Sequence, residues 1–589
     1  MKKTFHIFSM TAVAAIMLAA TSCTDFLTIY PTDRVVLEDF WKDKSDVETM
    51  VANSYKNMVS NDFISRLIVW GELRSDDVIE TTNINTTLKY INNANLLETN
   101  TYCNWSVFYK VINNCNIVLK FAPQVMDEDP DFQKGDLDVV RGEMLATRAF
   151  CHFWLVRAFR DIPLLLEAKV DDSQNLYILQ SEPLAALDSI LVDLDEAEGL
   201  VLESGAYANM TYNKGRFTAD AVRALRADVL LWKAAFTQCK NESDGSENYQ
   251  TYSECIDYCE RIIADRIAYI EDYNEKNDIE EGIMSGEGPA YELVKQYPLI
   301  LNSASARSTS PYNEQSYYEI FGQQNNLKES IFELQLDDQN NRNYAIPTFY
   351  GYEGATRQFN ASTILGKSGE DNSLYKETDL RCFSNTIQNG EEEDVYPIAK
   401  YVTTYTEPTS NGKAGAPKYR ESLKDDSGSD YTTSNWIVYR ITDVMLMEAE
   451  ALALRHDSIK GDLKKAFNLV KAVYYRSNPK NVARNDSITY TENNYESMMS
   501  LVMDERHREL CFESKRWFDL VRMALREGDT KGMLDEMVPN KYENNQSAIR
   551  SKMASLDCLF FPIYERELDT DSTLVQNPAY VTEDVYSKN

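Results

Sequence analysis

Basic residues are scarce in this chain. Its 589 residues hold 60 Lys and Arg against 93 Asp and Glu, a formal net charge of −33. Nucleic-acid binders need basic faces to displace counterions from phosphate, so that class is excluded. Broad contact with anionic lipid headgroups is disfavoured for the same reason. A neutral or cationic ligand suits the balance, although acidity also serves simply to keep a surface soluble. Catalytic signatures are missing as well: there is no G-x-S-x-G, H-E-x-x-H, P-loop or G-x-G-x-x-G. Histidine is limited to four residues. Cysteine gives no disulfide framework: beyond Cys23, the nine at 103, 115, 151, 239, 255, 259, 382, 511 and 558 are odd in number and lack paired spacing. Cys255 and Cys259 share a helix face, but no histidine neighbours them, so free buried thiols are expected rather than a metal site.

Long apolar runs are confined to the N-terminus, where Lys2 and Lys3 precede Ile7 to Ala20. That stretch has the length of a signal-peptide h-region and falls short of the ~20 residues of a spanning helix. Ala-Thr-Ser then leads into Cys23, a pattern that resembles the bacterial lipobox. Residues 1–22 are therefore expected to be a lipoprotein signal peptide and Cys23 the lipidation site. Several acyl chains at ~0.8 kcal/mol per buried CH2 would hold such a protein on a membrane. The alternative is an ordinary secretory signal with an incidental cysteine. The remaining 567 residues carry −35, and the 43% hydrophobic content of the whole chain is that of a globular protein.

Helical periodicity dominates the first 240 residues after the leader. From Gly142, Leu145, Ala149, Phe153 and Val156 form one stripe, which Pro163 is expected to terminate. A second helix carries Ala221, Ala224, Leu225, Leu231 and Ala235, small residues that let a neighbour approach closely. Between them, Pro183 opens a third amphipathic helix, and a fourth begins near Tyr252. From about Ala268 to Asn435 the sequence turns rich in Asn, Gly, Ser, Tyr and Glu, with strand-like pieces at ESIFELQL and PIAKYVTTY. Helices are expected to return at WIVYRITDVMLMEAEALALRHD, LKKAFNLVKAVYYRS and YESMMSLVMDERHRELCFESKRWFDLVRM. The expected fold is all-α dominated, with tetratricopeptide-like helix pairs and a large loop-rich insertion carrying short strands. Helical parts at 23–267 and 436–589 flank the insertion at 268–435 in one compact fold over 23–589.

Six blocks, in order along the chain, resemble the SusD/RagB family of nutrient-binding outer-membrane lipoproteins. They are CTDFLTIYPTDRV from Cys23, WGELRSDDVI from Trp70, GEMLATRAFCHFWLVRAFRDIPLL from Gly142, RITDVMLMEAEAL from Arg440, ERHRELCFESKRWFDLVRM from Glu505 and LFFPIYERELDTDSTLVQNPAY near the end. In the last block Tyr564, Asp571 and Ala579 depart from the family's Pro, Asn and Gly. The resemblance implies tetratricopeptide-like helix pairs, an outer-membrane location with surface exposure, and a TonB-dependent SusC-type transporter as partner. It implies an oligosaccharide or glycan ligand, with peptides as the alternative, and neither hydrolysis nor a cofactor.

The charged stretch Glu505, Arg506, Arg508, Glu509, Glu513, Arg516 and Asp519 offers paired carboxylates. Its helical spacing beside Trp517 and Phe518 instead reads as ion pairs tying helices together. Asp76 and Asp77 suit local structure better than a cation or ligand, and His507 has no nucleophile motif beside it. Ligand contacts are expected from the insertion, where aromatic and amide residues interleave: Tyr344, Phe349, Tyr350, Tyr352 and Asn360. Ring faces pack on sugar C–H surfaces, amides bond hydroxyls, and Pro347 and Gly351 mark a loop on a rigid scaffold. Asn83 and Tyr90, after the Ser-Asp-Asp block, complete the candidate set; each ring has packing as its competing role. No metal ligands are expected. Two rival readings are a surface glycan hydrolase, for which no motif is present, and a helical scaffold that binds only proteins.

Overall fold

The computed structural model describes residues 40–171, 173–239, 246–277, 289–300, 302, 315–322, 324–351, 357–370, 372–387, 395–401, 403–408, 414–420, 422–455, 462–479 and 488–581. Segment 1–22, Cys23 and Tyr352 lie outside the described residues.

Two capped helices open the chain. In α1 (Lys44–Met58) the Asp43 and Asp46 side chains form a reciprocal capping box, and α2 (Asn61–Gly71) starts where the Ser60 hydroxyl accepts the Phe63 N–H. After strand β1 (Val78–Glu80) and the short α3 (Thr86–Asn92), the long α4 (Ser106–Glu128) and α5 (Lys134–Phe159) form a hairpin. The periodic stripe of α5 is buried throughout, as its spacing requires. The helix stops at Phe159, where Arg160 takes φ +69°, before Pro163 is reached. Pro163 belongs to β2 (Ile162–Pro163), which pairs with β3 (Gln180–Ser181) ahead of α6 (Pro183–Glu198). Close packing is explicit at Gly142, where a Cβ would sit 2.9 Å from Leu200 and Val201 atoms.

Further helices then pack in sequence on this pair. Helix α7 (Ala219–Cys239) packs on α6 and on α8 (Ser246–Lys276), and α8 packs on α10 (Ile441–Leu454), which follows the insertion. Helices α11 (Asp462–Ser477) and α12 (Tyr495–Leu510) cover α10, while α13 (Arg516–Glu527) returns to α7. Gly528, at φ +76°, ends α13 in the left-handed conformation that favours glycine. This is the expected all-α architecture of tetratricopeptide-like pairs. No helix among the described residues is long and apolar enough to cross a membrane.

Two local expectations need correction. The loop-rich stretch begins after Lys276 rather than at 268, because α8 continues through Tyr269 and Tyr273, with Asp272 and Lys276 paired at i,i+4. Trp436–Arg440, read as the start of a helix, is instead strand β10. Its Trp-Ile-Val-Tyr run is β-branched and aromatic, and all five residues are buried where they pair antiparallel with β4 (Ser330–Leu334). Helix α10 starts only at Ile441. Within the insertion, α9 (Ala345–Tyr350) precedes β5 (Phe359–Ala361), which pairs with β1 through Val78–Ala361, Ile79–Asn360 and Glu80–Phe359. Hairpins β6 (Thr403–Pro408) with β7 (Ala414–Arg420), and β8 (Leu423–Lys424) with β9 (Asp430–Tyr431), complete the strands.

Candidate ligand-binding surface

The turn after α2 anchors everything that follows. Gly71 lies against the Ser514 backbone so closely that a Cβ there would clash with the Ser514 carbonyl. Glu72 accepts the N–H groups of Phe512 at 3.0 Å and Ser514 at 2.9 Å, holding two residues with positive φ in place. Asp76 takes both Arg516 Nε at 2.8 Å and Nη2 at 3.2 Å, and Asp77 Oδ1 lies 2.6 Å from His507 Nε2. Lys541 Nζ donates to the carbonyls of Leu73, Ser75 and Val78. Burial pulls the Lys541 pKa down to about 7, against the opposing field of Asp76, Asp77 and Glu72. Asp76, Asp77 and His507 approach the spacing of a cation site. Arg516 on both Asp76 oxygens already supplies the positive charge there, so the arrangement fixes β1 and does not suit a metal.

The charged helix serves the same purpose. Glu505 pairs with Arg381 at 2.7 Å and Arg508 at 2.9 Å, and Glu509 meets Arg381, Arg440 and Arg476. Glu513 pairs with Arg440 at 2.7 Å and Lys400 at 2.6 Å, and Asp519 with Arg506 and Arg522. The arginines around Glu509 hold its carboxyl well below the usual range in spite of burial. These carboxylates are buried and saturated with cationic partners, which leaves none of them free to act as a general acid.

On this base the candidate residues fall into two groups. Phe349 and Tyr350 are inside: Phe349 stacks on Phe359 with centroids 5.9 Å apart, and Tyr350 lies parallel to Tyr401, which stacks in turn on Trp436. Neither ring presents a face to solvent. Asn360 is also buried, in the β1–β5 pair, with its Oδ1 unpaired. Asn83 and Tyr90 are exposed, Tyr90 by 42%, on the loop and helix that follow β1. Tyr344 is half-buried at the start of α9.

Gln358 joins the two exposed regions. Its Oε1 accepts the Asn85 N–H at 2.8 Å, its carbonyl accepts from Thr81, and its own N–H donates to the Thr348 carbonyl at 3.1 Å. Beside Tyr344 lies a polar aromatic patch that the sequence reading missed. The Tyr344 and Tyr431 rings are 6.0 Å apart, and the Arg342 guanidinium sits 4.6 Å over Tyr431. Arg342 is also bonded to Asp338, whose Oδ1 accepts the Tyr431 hydroxyl at 2.6 Å. Tyr344 donates to Asp425 at 3.2 Å. Burial and the Asp338 bond push Tyr431 up to about 12, while Ser427, Ser429 and Tyr344 pull Asp425 down to about 2. Tyr431 lies 93 residues from Asp338 in sequence, so no spacing announces its meeting with Asp338 and Arg342.

A groove of about 460 Å³ lies elsewhere, between the first turn of α4, the loop before β3 and the C-terminal tail. Trp105, Tyr109, Tyr177 and Glu567 line it, and none was a candidate. Nearby segments in sequence gave no signal, because the groove unites residues 105 and 567.

Comparison with known proteins fits this architecture. Residues 230–580 match the family described as SusD family, and residues 29–231 match one described as starch-binding, associating with outer membrane. SusD-like protein P38 of Formosa agariphila is 23% identical over 549 residues, covering 88% of this chain and 92% of that protein. A SusD homolog from Bacteroides thetaiotaomicron superposes with a TM-score of 0.65 at 16% identity, covering 92% of this chain and 98% of the other. NanU of Bacteroides fragilis gives 0.60 at 16% identity over 94% of this chain and 100% of its own. With more than half its length matched by one family, and the helical stack and strand insertion in place, the chain belongs to the SusD family.

Proposed function

We propose that this protein captures glycan chains without cleaving them, at the outer face of the outer membrane, and passes them to a TonB-dependent transporter of the SusC type. Acylation of Cys23 supplies the anchor. The observation that carries the reading is the patch of Tyr344, Tyr431 and Arg342, linked through Gln358 to exposed Asn83 and Tyr90. Rings present C–H-binding faces, while Asp338, Asp425 and the amides border them with hydroxyl partners. The family description as starch-binding and associated with the outer membrane supports the same reading, as does a structural relative from Bacteroides vulgatus described as a putative sugar binding protein. The acids of the patch are engaged by tyrosine hydroxyls and Arg342, an arrangement suited to holding a ligand in place.

The test is titration of residues 24–589 with soluble α-glucan, xylan and mannan, before and after Tyr344→Ala with Arg342→Ala. Binding that weakens at least tenfold in the double variant, with thermal stability kept, supports the patch. Full affinity in a folded double variant contradicts it, and binding of peptides but no glycan contradicts sugar as the cargo.

A further inference from the structure

We infer that the groove at Trp105 is a second carbohydrate-binding site, taking a neutral oligosaccharide segment separately from the Tyr344 patch. The inference rests on the capture reading for its ligand class and on the groove's own construction for its place. At about 460 Å³ the groove falls within the roughly 300–1,000 Å³ typical of small-ligand sites. None of its lining residues belongs to the Tyr344 patch or to Asn83 and Tyr90.

Its floor is preformed. The Trp105 ring packs edge-on against Tyr109 at 5.6 Å and Phe159 at 5.0 Å, and the Tyr109 hydroxyl donates to the Pro163 carbonyl at 2.8 Å. Glu567 lines the same cavity as Trp105, whose indole N–H favours its ionised carboxylate. Partial burial raises the Glu567 pKa, so its oxygens are held in a setting where a hydroxyl donor is a favourable partner.

The opposite wall is a loop closed on itself. Gln174 accepts the Val170 N–H at 2.7 Å and donates to the Ala168 carbonyl at 3.1 Å, and Asn113 makes two bonds to the Lys169 backbone. From that braced loop Tyr177 projects to the rim, 55% exposed. A large ring left in water, lining one groove with two further rings and a half-buried carboxylate, has the elements of a sugar platform: stacking faces with hydrogen-bonding groups at the edge. Charge narrows the ligand. Glu567, Asp571 and Lys169 line the groove, so an anionic chain meets a net negative lining while a neutral one meets no penalty.

Two sites on one lipoprotein would grip a long chain at separate points, raising avidity for polymer over short fragments. Calorimetric titration of residues 24–589 with neutral oligosaccharides of α-glucan, xylan and mannan tests the inference. Tyr177→Ala with Glu567→Gln disables the groove, both side chains being at its surface, and Tyr344→Ala with Arg342→Ala disables the patch. With the probe that binds, the expected result is two sites in the wild type, one in each double variant, and at least a tenfold loss of polymer affinity in either. A single site that survives the groove variant unchanged overturns the inference and leaves the capture reading standing. Silence of the wild type toward all three probes overturns both.

Discussion

Gln358 Oε1 accepts the backbone N–H of Asn85 at 2.8 Å, a bond that spans 273 residues and ties the loop after β1 to the insertion. Together with the β1–β5 pairing and the Thr81 bonds to the Arg357 and Gln358 carbonyls, it holds the exposed Asn83–Tyr90 region against the insertion. Gln358→Ala should leave the fold intact and weaken glycan affinity. One hydrogen bond at about 0.5–1.5 kcal/mol corresponds to a loss of roughly two- to twelvefold. Titration beside a melting curve checks it.

Tyr350 and Tyr344 are six residues apart and predicted to behave oppositely. Tyr350 is buried against Tyr401 and Phe512, so Tyr350→Ala should cost about 3–5 kcal/mol of stability, the range for large aromatic truncations. Tyr344→Ala should cost affinity and little stability. Denaturant midpoints and binding constants on the two variants separate the roles.

The fold was largely legible because helical periodicity and the six blocks are local. The stripe at Leu145–Val156 and the alanine face of Ala221–Ala235 needed only 3.6-residue spacing to be placed. The Trp436–Arg440 strand was misread because a short apolar run joined to a helix has no period of its own. Binding residues were harder. Phe349 and Tyr350 share the composition of a ligand loop with Tyr344, yet one turn of helix sends them inward. Tyr431, Arg342 and Trp105 become candidates only through partners distant in sequence, which no composition or spacing announces.

The Glu509 cluster should be a keystone of stability. Three arginines from separate segments converge on it, and neutralising it removes the one carboxylate all three share, each keeping another acidic partner in Glu505, Glu513 or Glu329. Glu509→Gln should cost about 1.5–3 kcal/mol, the range for hydrogen bonds to charged groups, read as a fall in the denaturant midpoint, with no effect on glycan affinity at temperatures where the variant is folded.

Glu448 gives a pH-dependent prediction. Burial raises its pKa to about 7 even though Lys465 opposes the shift. A carboxyl raised in the folded state binds more protons there than in the unfolded chain, so its contribution to stability is present below pH 4.5 and is lost as pH rises toward 7. Glu448→Gln copies the protonated form. The variant should match the wild type near pH 4 and exceed it by about 2–3 kcal/mol at pH 8, measured as the difference in unfolding free energy at the two pH values.

The most direct test of the central claim is affinity electrophoresis of residues 24–589 in gels cast with soluble α-glucan, xylan or mannan, with a reducing-end assay on the same polymers. Capture without cleavage predicts retarded migration in at least one gel and no new reducing ends. Unretarded migration in all of them, or reducing ends released from a retained polymer, would contradict it.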